Sequence, residues 1–179
     1  NDLILKGGGD PDFSIEQLDS LAHATAEVVE DVNTLYLDAT LLDSMYYGNG
    51  WMWDEGSWWY AAPIGALSVN DNCIDFIISP TSPDSLISIE TYPKSNYYKI
   101  NNSAITVSDT SEYDKIKIIR DWKNKKNIFQ ISGTIMDTSS TDTLIRNISN
   151  PTMFTGNLFY QMLMDKGLQI SELKKGKYK

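Results

Sequence analysis

The spacing of apolar positions changes character along the chain. Leu3-Ile4-Leu5 is a compact apolar run that predicts a short strand, and Gly7-Gly8-Gly9-Asp10-Pro11 after it can form only a turn. Ser14 then opens a helix. Gln17 stands three residues on, at capping-box spacing, and Ile15, Leu18, Ala22, Thr25/Ala26 and Val29 give one apolar face. Residues Thr34 to Leu37 predict a second strand, so the opening reads as a strand–helix–strand unit. Gly48-Asn49-Gly50 breaks the chain before an aromatic segment, Trp51 to Tyr60. From Ala66 to Met136 the pattern becomes one of short β-branched and aromatic runs, at 74–79, 86–90, 97–100, 104–107, 115–120 and 128–136. Lys115-Ile116-Lys117-Ile118 alternates as a half-exposed strand does, and residues 122–127 form a polar hairpin connection. Helix returns at the end, with Asn150 as cap, Pro151 in the first turn and Gly167 past the last. The expected fold class is α+β. A small α/β domain, residues 1–68 with 144–179, carries an inserted all-β module, residues 69–143.

Composition narrows the function classes. With 41% hydrophobic and 22% charged residues the chain can bury a core. The formal net charge of −9 argues against a nucleic-acid partner, which needs clustered cations. The basic run from Lys174 to Lys179 reads as a solvated tail. No apolar run reaches the ~18 residues of a membrane span, no signal peptide is expected at the start, and both ends read as cut from a larger protein. Cys73 and His23 are each the sole residue of their type, so no disulfide, cysteine cluster or histidine-pair metal site is expected. No cofactor is implied. His23 reads as a helix-flank residue.

Several motifs have chemical readings. The glycine turn at 7–9 could cradle a phosphate, but Asp10 and Asp12 would repel it, and a structural turn is the better reading. Ser171-Glu172-Leu173-Lys174 spells S-x-x-K, a nucleophile-and-base motif, yet it follows the last helix instead of opening one. Ser68-Val69-Asn70 spells S-x-N on a strand-like run. The segment from Gly50 to Tyr60 is the densest signal: Trp51, Trp53, Trp58 and Trp59 flank Asp54 and Glu55. Aromatics beside carboxylates suit a ligand with an apolar stem and a cationic or hydroxylated end. They suit equally a loop anchor whose acids face water.

Leu5 to Pro11, Gly50 to Glu55, Tyr60 to Pro63 and Ala66 to Cys73 occur in an order that resembles the class C low-molecular-mass penicillin-binding proteins, the D-Ala-D-Ala carboxypeptidase/endopeptidase family. The closing Asn150-Pro151, Leu163 and Gly167 to Ile170 resemble that family's return helix. The resemblance implies that the catalytic S-x-x-K, S-x-N and K-T-G motifs lie outside this stretch, which corresponds to domains inserted into a transpeptidase domain. The implied parent is a serine-type peptidase acting on peptidoglycan stem peptides outside the cytoplasm. The implied contribution of this chain is scaffolding and substrate-side contact through Glu55 and Tyr60, with Asp54, Trp53 and Trp51 as neighbours. Glu55 stands where the family usually has Asp, which moves the carboxylate outward by one bond. The alternative is an independent peptidoglycan- or carbohydrate-binding module using the 51–60 aromatic cluster.

The chain alone is expected not to be acylated by β-lactams. Incubation with a fluorescent penicillin should leave no covalent band after denaturing electrophoresis, and a band that disappears in Ser171→Ala would restore the S-x-x-K reading.

Overall fold

The structure, a computed structural model, describes residues 1–42, 45–52 and 54–177. It divides into two compact units. One comprises residues 1–51, 63–72 and 150–179, the other 52–62 and 73–149. These differ from the expected boundaries at 68/69 and 143/144. Residues 52–62 belong with the β-rich unit because their backbone carbonyls and one side chain are bonded to its strands, as described below.

In the first unit, β1 (Asp2–Lys6), β2 (Asp31–Asp38) and β11 (Gln169–Lys175) form a parallel sheet with β2 in the middle. Leu5 pairs with Leu37, and Leu173 with Leu35. Helix α1 (Ile15–Ala26) connects β1 to β2, and α2 (Pro151–Asp165) leads into β11. Parallel neighbours need such crossovers, since a tight turn cannot reverse the chain twice. The capping box of α1 forms as expected: Gln17 N–H donates to Ser14 Oγ at 3.2 Å and Ser14 N–H to Gln17 Oε1 at 2.8 Å. Ile15, Leu18 and Ala22 are its buried face, but the helix ends at Ala26, so Val29 lies beyond it. Asn150 caps α2 from a left-handed conformation, its Oδ1 accepting from Met153 N–H. The two helices pack side by side, and Lys166 Nζ reaches Asp19 at 2.7 Å. His23 is an exposed helix residue, 3.5 Å from Glu27.

The second unit holds β3 (Cys73–Ser79), β4 (Ser88–Tyr92), β5 (Lys99–Asn102), β6 (Ile105–Val107), β7 (Lys117–Arg120), β8 (Ile128–Ser132), β9 (Thr134–Met136) and β10 (Asp142–Asn147). Its sheets run β10-β3-β4, β5-β8-β7 and β6-β9. The first is antiparallel throughout. β7 and β8 form the hairpin expected around 122–127, whereas β5 and β6 run parallel to β8 and β9. Phe76 and Phe129 meet at 4.9 Å in the core, with Ile74, Ile118 and Ile131 fully buried around them.

Two local expectations are corrected, and a third motif is placed. The 128–136 run is two strands, because Gly133 takes φ +105° and a Cβ there would sit 2.7 Å from Lys115 O. Ser68-Val69-Asn70 is not on a strand. Asn70, Asp71 and Asn72 all have positive φ and form a left-handed turn, held by Asn70 N–H to Phe13 O and Asn72 Nδ2 to Pro63 O. Ser171 and Lys174 lie on β11, where residues three apart point to opposite faces, and Lys174 pairs with Glu172 at 2.6 Å.

Helix α2 approaches β2 through Gly156, where a Cβ would lie 2.1 Å from Leu37 Cδ1. Both residues are buried, so the neighbour has no room to yield. Gly156→Ala is expected to destabilise the chain by about 1–2 kcal/mol, overpacking outweighing the better helix propensity of Ala. In a Leu37→Ala background the same change should become neutral or stabilising, as chemical denaturation of the four proteins would show.

Candidate functional site

The aromatic segment begins with a tight turn. Glu55 N–H donates to Met52 O at 3.3 Å, while Met52 N–H donates to the Glu55 carboxylate Oε2 at 3.2 Å. Trp58 N–H then donates to Glu55 O at 3.0 Å, and residues Trp59–Ala61 form one turn of 3₁₀ helix. Glu55 is half-buried and Asp54 is exposed. Among the described residues nothing bonds to Glu55 Oε1 or to the Asp54 carboxylate, so both remain open to a ligand. Trp53 lies outside the described residues.

Past the turn, the side chains form an exposed aromatic group. Tyr60 is 52% exposed and its ring stacks on Trp58, with centroids 6.2 Å apart and planes 7° apart. Trp59 meets Tyr60 edge-on at 5.9 Å. The Tyr60 hydroxyl bonds to no described residue. The structure thus places Asp54, Glu55 and Tyr60 on one short exposed stretch. No hydrogen bond joins Glu55 to Tyr60.

What holds this stretch was not anticipated from the sequence. Arg120 and Arg146 are the chain's two arginines, and both converge on it from inward positions of β7 and β10. Arg120 is 2% exposed. Its Nη2 donates to Gly56 O at 2.7 Å and to Asn147 Oδ1 at 3.0 Å, and its Nε donates to the same Oδ1 at 3.3 Å. Asn147 in turn donates through Nδ2 to Trp58 O at 2.8 Å and Ala61 O at 2.9 Å. Ser57 Oγ accepts from Arg120 N–H at 3.1 Å. Gly56 lies against Trp122, whose ring carbons would be 2.3 Å from a Cβ. Arg146 sets its guanidinium over the Trp58 ring at 4.5 Å, and burial pulls its pKa below the ordinary value. The only hint in the sequence was a lone arginine ending each of two apolar runs, Ile118-Ile119-Arg120 and Leu144-Ile145-Arg146.

Among the described residues, no group of three His, Cys, Asp or Glu side chains is placed to hold a metal ion, and no helix is long and apolar enough to cross a membrane.

With this arrangement in view, the chain belongs to the D-Ala-D-Ala carboxypeptidase 3 (S13) family, which it matches over residues 1–175. It is similar to a D-alanyl-D-alanine carboxypeptidase of an Actinomadura species, 25% identical over 177 residues that cover 94% of this chain and 32% of the relative. It is similar also to the D-alanyl-D-alanine carboxypeptidase DacB of Haemophilus influenzae, 20% identical over 172 residues covering 94% of this chain and 35% of the relative. The chain therefore spans about a third of the length of these curated relatives. Its fold is shared with the crystal structure of penicillin binding protein 4 (dacB) from Haemophilus influenzae, at TM-score 0.77 and 18% identity over 99% of this chain and 39% of that one. A β-lactam complex of that protein gives a TM-score of 0.67 at 16% identity, over 99% of this chain and 37% of that one.

Asn147 is almost fully buried and joins a buried cation to two carbonyls of the aromatic segment. Asn147→Ala should cost about 2–4 kcal/mol, because it strands a charged donor and two acceptors together. Urea unfolding followed by tryptophan fluorescence measures this, and a loss below ~1 kcal/mol would mean the segment is held by other contacts.

Proposed function

We propose that this chain is a non-catalytic portion of a serine-type D-Ala-D-Ala carboxypeptidase/endopeptidase that acts on peptidoglycan stem peptides outside the cytoplasm. Its role is to scaffold the enzyme and to supply substrate-side contacts. The peptide-cleaving serine and its base belong to other segments of the enzyme, so nothing in residues 1–179 carries out acyl transfer. The observation that carries the reading is the exposed acid–aromatic stretch, Asp54, Glu55 and Tyr60, on a backbone clamped by a buried arginine and asparagine. A clamped backbone lowers the ordering cost of binding. Membership of the family supports the choice of substrate class.

Glu55 Oε2 is engaged with Met52 N–H, which orients the carboxylate and leaves Oε1 for an incoming cation. A stem-peptide side chain ending in an ammonium would place that charge at Oε1 and lay its methylenes along Tyr60. Asp54, exposed, adds negative charge that attracts the same group. In the sequence, Trp51 and Trp53 come just before this stretch. A second reading, a free-standing carbohydrate-binding module, draws on the exposure of Trp58 and Trp59. It is weakened by the Trp58 ring already carrying Arg146 and stacking with Tyr60.

In the full-length enzyme, Glu55→Gln should raise KM about fivefold for a substrate with a free side-chain amine, the ~1 kcal/mol of a partly solvated ion pair. It should leave kcat unchanged and barely affect a substrate whose amine is acetylated. Equal losses on both substrates would reduce Glu55 to holding the Met52 turn.

A further inference from the structure

Two strand edges in the β-rich unit face each other without pairing. β7 ends the sheet β5-β8-β7 and β10 ends the sheet β10-β3-β4. They are tied at one end, where Arg146 Nε donates to Ile118 O at 2.8 Å and Ser57 bridges by accepting from Arg120 N–H and from Asn147 N–H. Beyond those ties the edges enclose a cleft of about 500 Å³ lined by Lys115 to Ile119 and Thr143 to Arg146, with Trp58 and Trp59 at its rim. A second hollow of about 380 Å³ shares Lys115, Ile116 and Leu144 with the first and extends it towards Tyr113 and Asp142.

On the side of Lys115–Ile118 the cleft keeps backbone groups open to another strand. Residues along a strand turn their N–H and C=O groups alternately to either side. Ile118 and Arg120 direct theirs across the cleft, and no described residue bonds to the backbone of Ile116, one residue before β7. On the opposite side Asn147 N–H points across, but Thr143 N–H is taken by Asp142 Oδ1 at 2.8 Å and Ile145 O by Arg146 Nη1 at 2.7 Å, so strand pairing falls to the Lys115–Ile118 side. Open strand edges of this kind are templates for pairing, and proteins ordinarily cover them or guard them with charge.

Charge and shape select the occupant. The larger cleft is lined by Lys115, Lys117 and Arg146 and by no carboxylate, in a chain of net charge −9. Lys117 is partly answered by exposed Asp114 at 3.2 Å. Lys115 and Arg146 form no ion pair with a described residue. The floor and walls are aliphatic, with Ile119 52% and Ile145 38% exposed. The Trp58 ring is already engaged, one face carrying the Arg146 guanidinium and the ring stacking with Tyr60.

We propose that the cleft between β7 and β10 receives an extended acidic segment of a partner polypeptide. It adds as a strand along Lys115–Ile118 and sets its carboxylates against Lys115 and Arg146. This does not depend on the assignment of Glu55 and Tyr60.

The test is titration of the 179-residue chain with a blocked peptide of alternating Val and Glu, followed by tryptophan fluorescence and calorimetry. Saturable binding is expected. It should weaken about fivefold or more in Lys115→Glu, a reversal at an exposed residue, and fall with added salt. A peptide with alternate backbone nitrogens methylated should not bind, since it cannot pair with the edge, and a Val/Lys counterpart should not bind either. The two altered peptides keep the test decisive should Lys115→Glu fail to fold. Failure of the acidic peptide to saturate, equal binding of the methylated peptide, or an unchanged affinity in a folded Lys115→Glu would each overturn the proposal. So would a neutral oligosaccharide that competes for the cleft.

Discussion

A guanidinium sealed away from water is the contact on which the β-rich unit turns. Burying a charge is costly unless its donors are satisfied. Gly56 O, Asn147 Oδ1 and Lys126 O are among the groups that meet that demand for Arg120. Such bonds to a charged donor are stronger than bonds between neutral groups. Because one acceptor belongs to the aromatic segment and another is the side chain that holds Trp58 and Ala61, satisfying the charge and placing the segment are one event. The aromatic stretch is thereby positioned by strands far from it in sequence.

The α/β unit depends instead on close backbone approach. Gly7 N–H donates to Asp38 O at 2.8 Å, and a Cβ on Gly7 would lie 2.3 Å from the Ala66 carbonyl. Gly9 N–H donates to Ala66 O at 2.9 Å, and Asn70 N–H reaches Phe13 O. Two segments that carry the family resemblance, the glycine turn and the Ala66–Cys73 stretch, therefore meet in space. Their residue types answer to steric closeness and left-handed backbone. Ser68 Oγ is held in the same turn, engaged with Gly65 O and Asn72 Nδ2.

The β-rich unit presents opposite charges on neighbouring features. Asp54 and Glu55 are acidic and exposed or half-exposed, while the β7–β10 cleft is cationic. Trp58 belongs to both, since its ring stacks with Tyr60 and carries the Arg146 guanidinium. A chain so acidic overall can hold a cationic cleft only by lining it without carboxylates, and the cleft's lining residues include none.

Local rules carried much of the fold. The capping box at Ser14, the Asn150-Pro151 start of α2, the strand–helix–strand opening and the hairpin at 122–127 each depend on residues a few positions apart, and each formed. The acid–aromatic stretch at 54–60 was legible for the same reason, as a cluster of residue types within one segment. The strands at 142–147 and 169–175 were not legible. The first is interrupted by charge and amide, and the second by the Ser-Glu and Lys-Lys pairs of a half-exposed edge. The parallel pairing of β5 with β8 and the split at Gly133 were equally hidden, as was the role of both arginines. An inward arginine on a strand breaks the apolar alternation that sequence reading relies on. Only the folded chain decides whether acceptors 27 and 64 residues away arrive to satisfy it. Periodicity is a property of neighbours, whereas the satisfaction of a buried charge is a property of the whole unit.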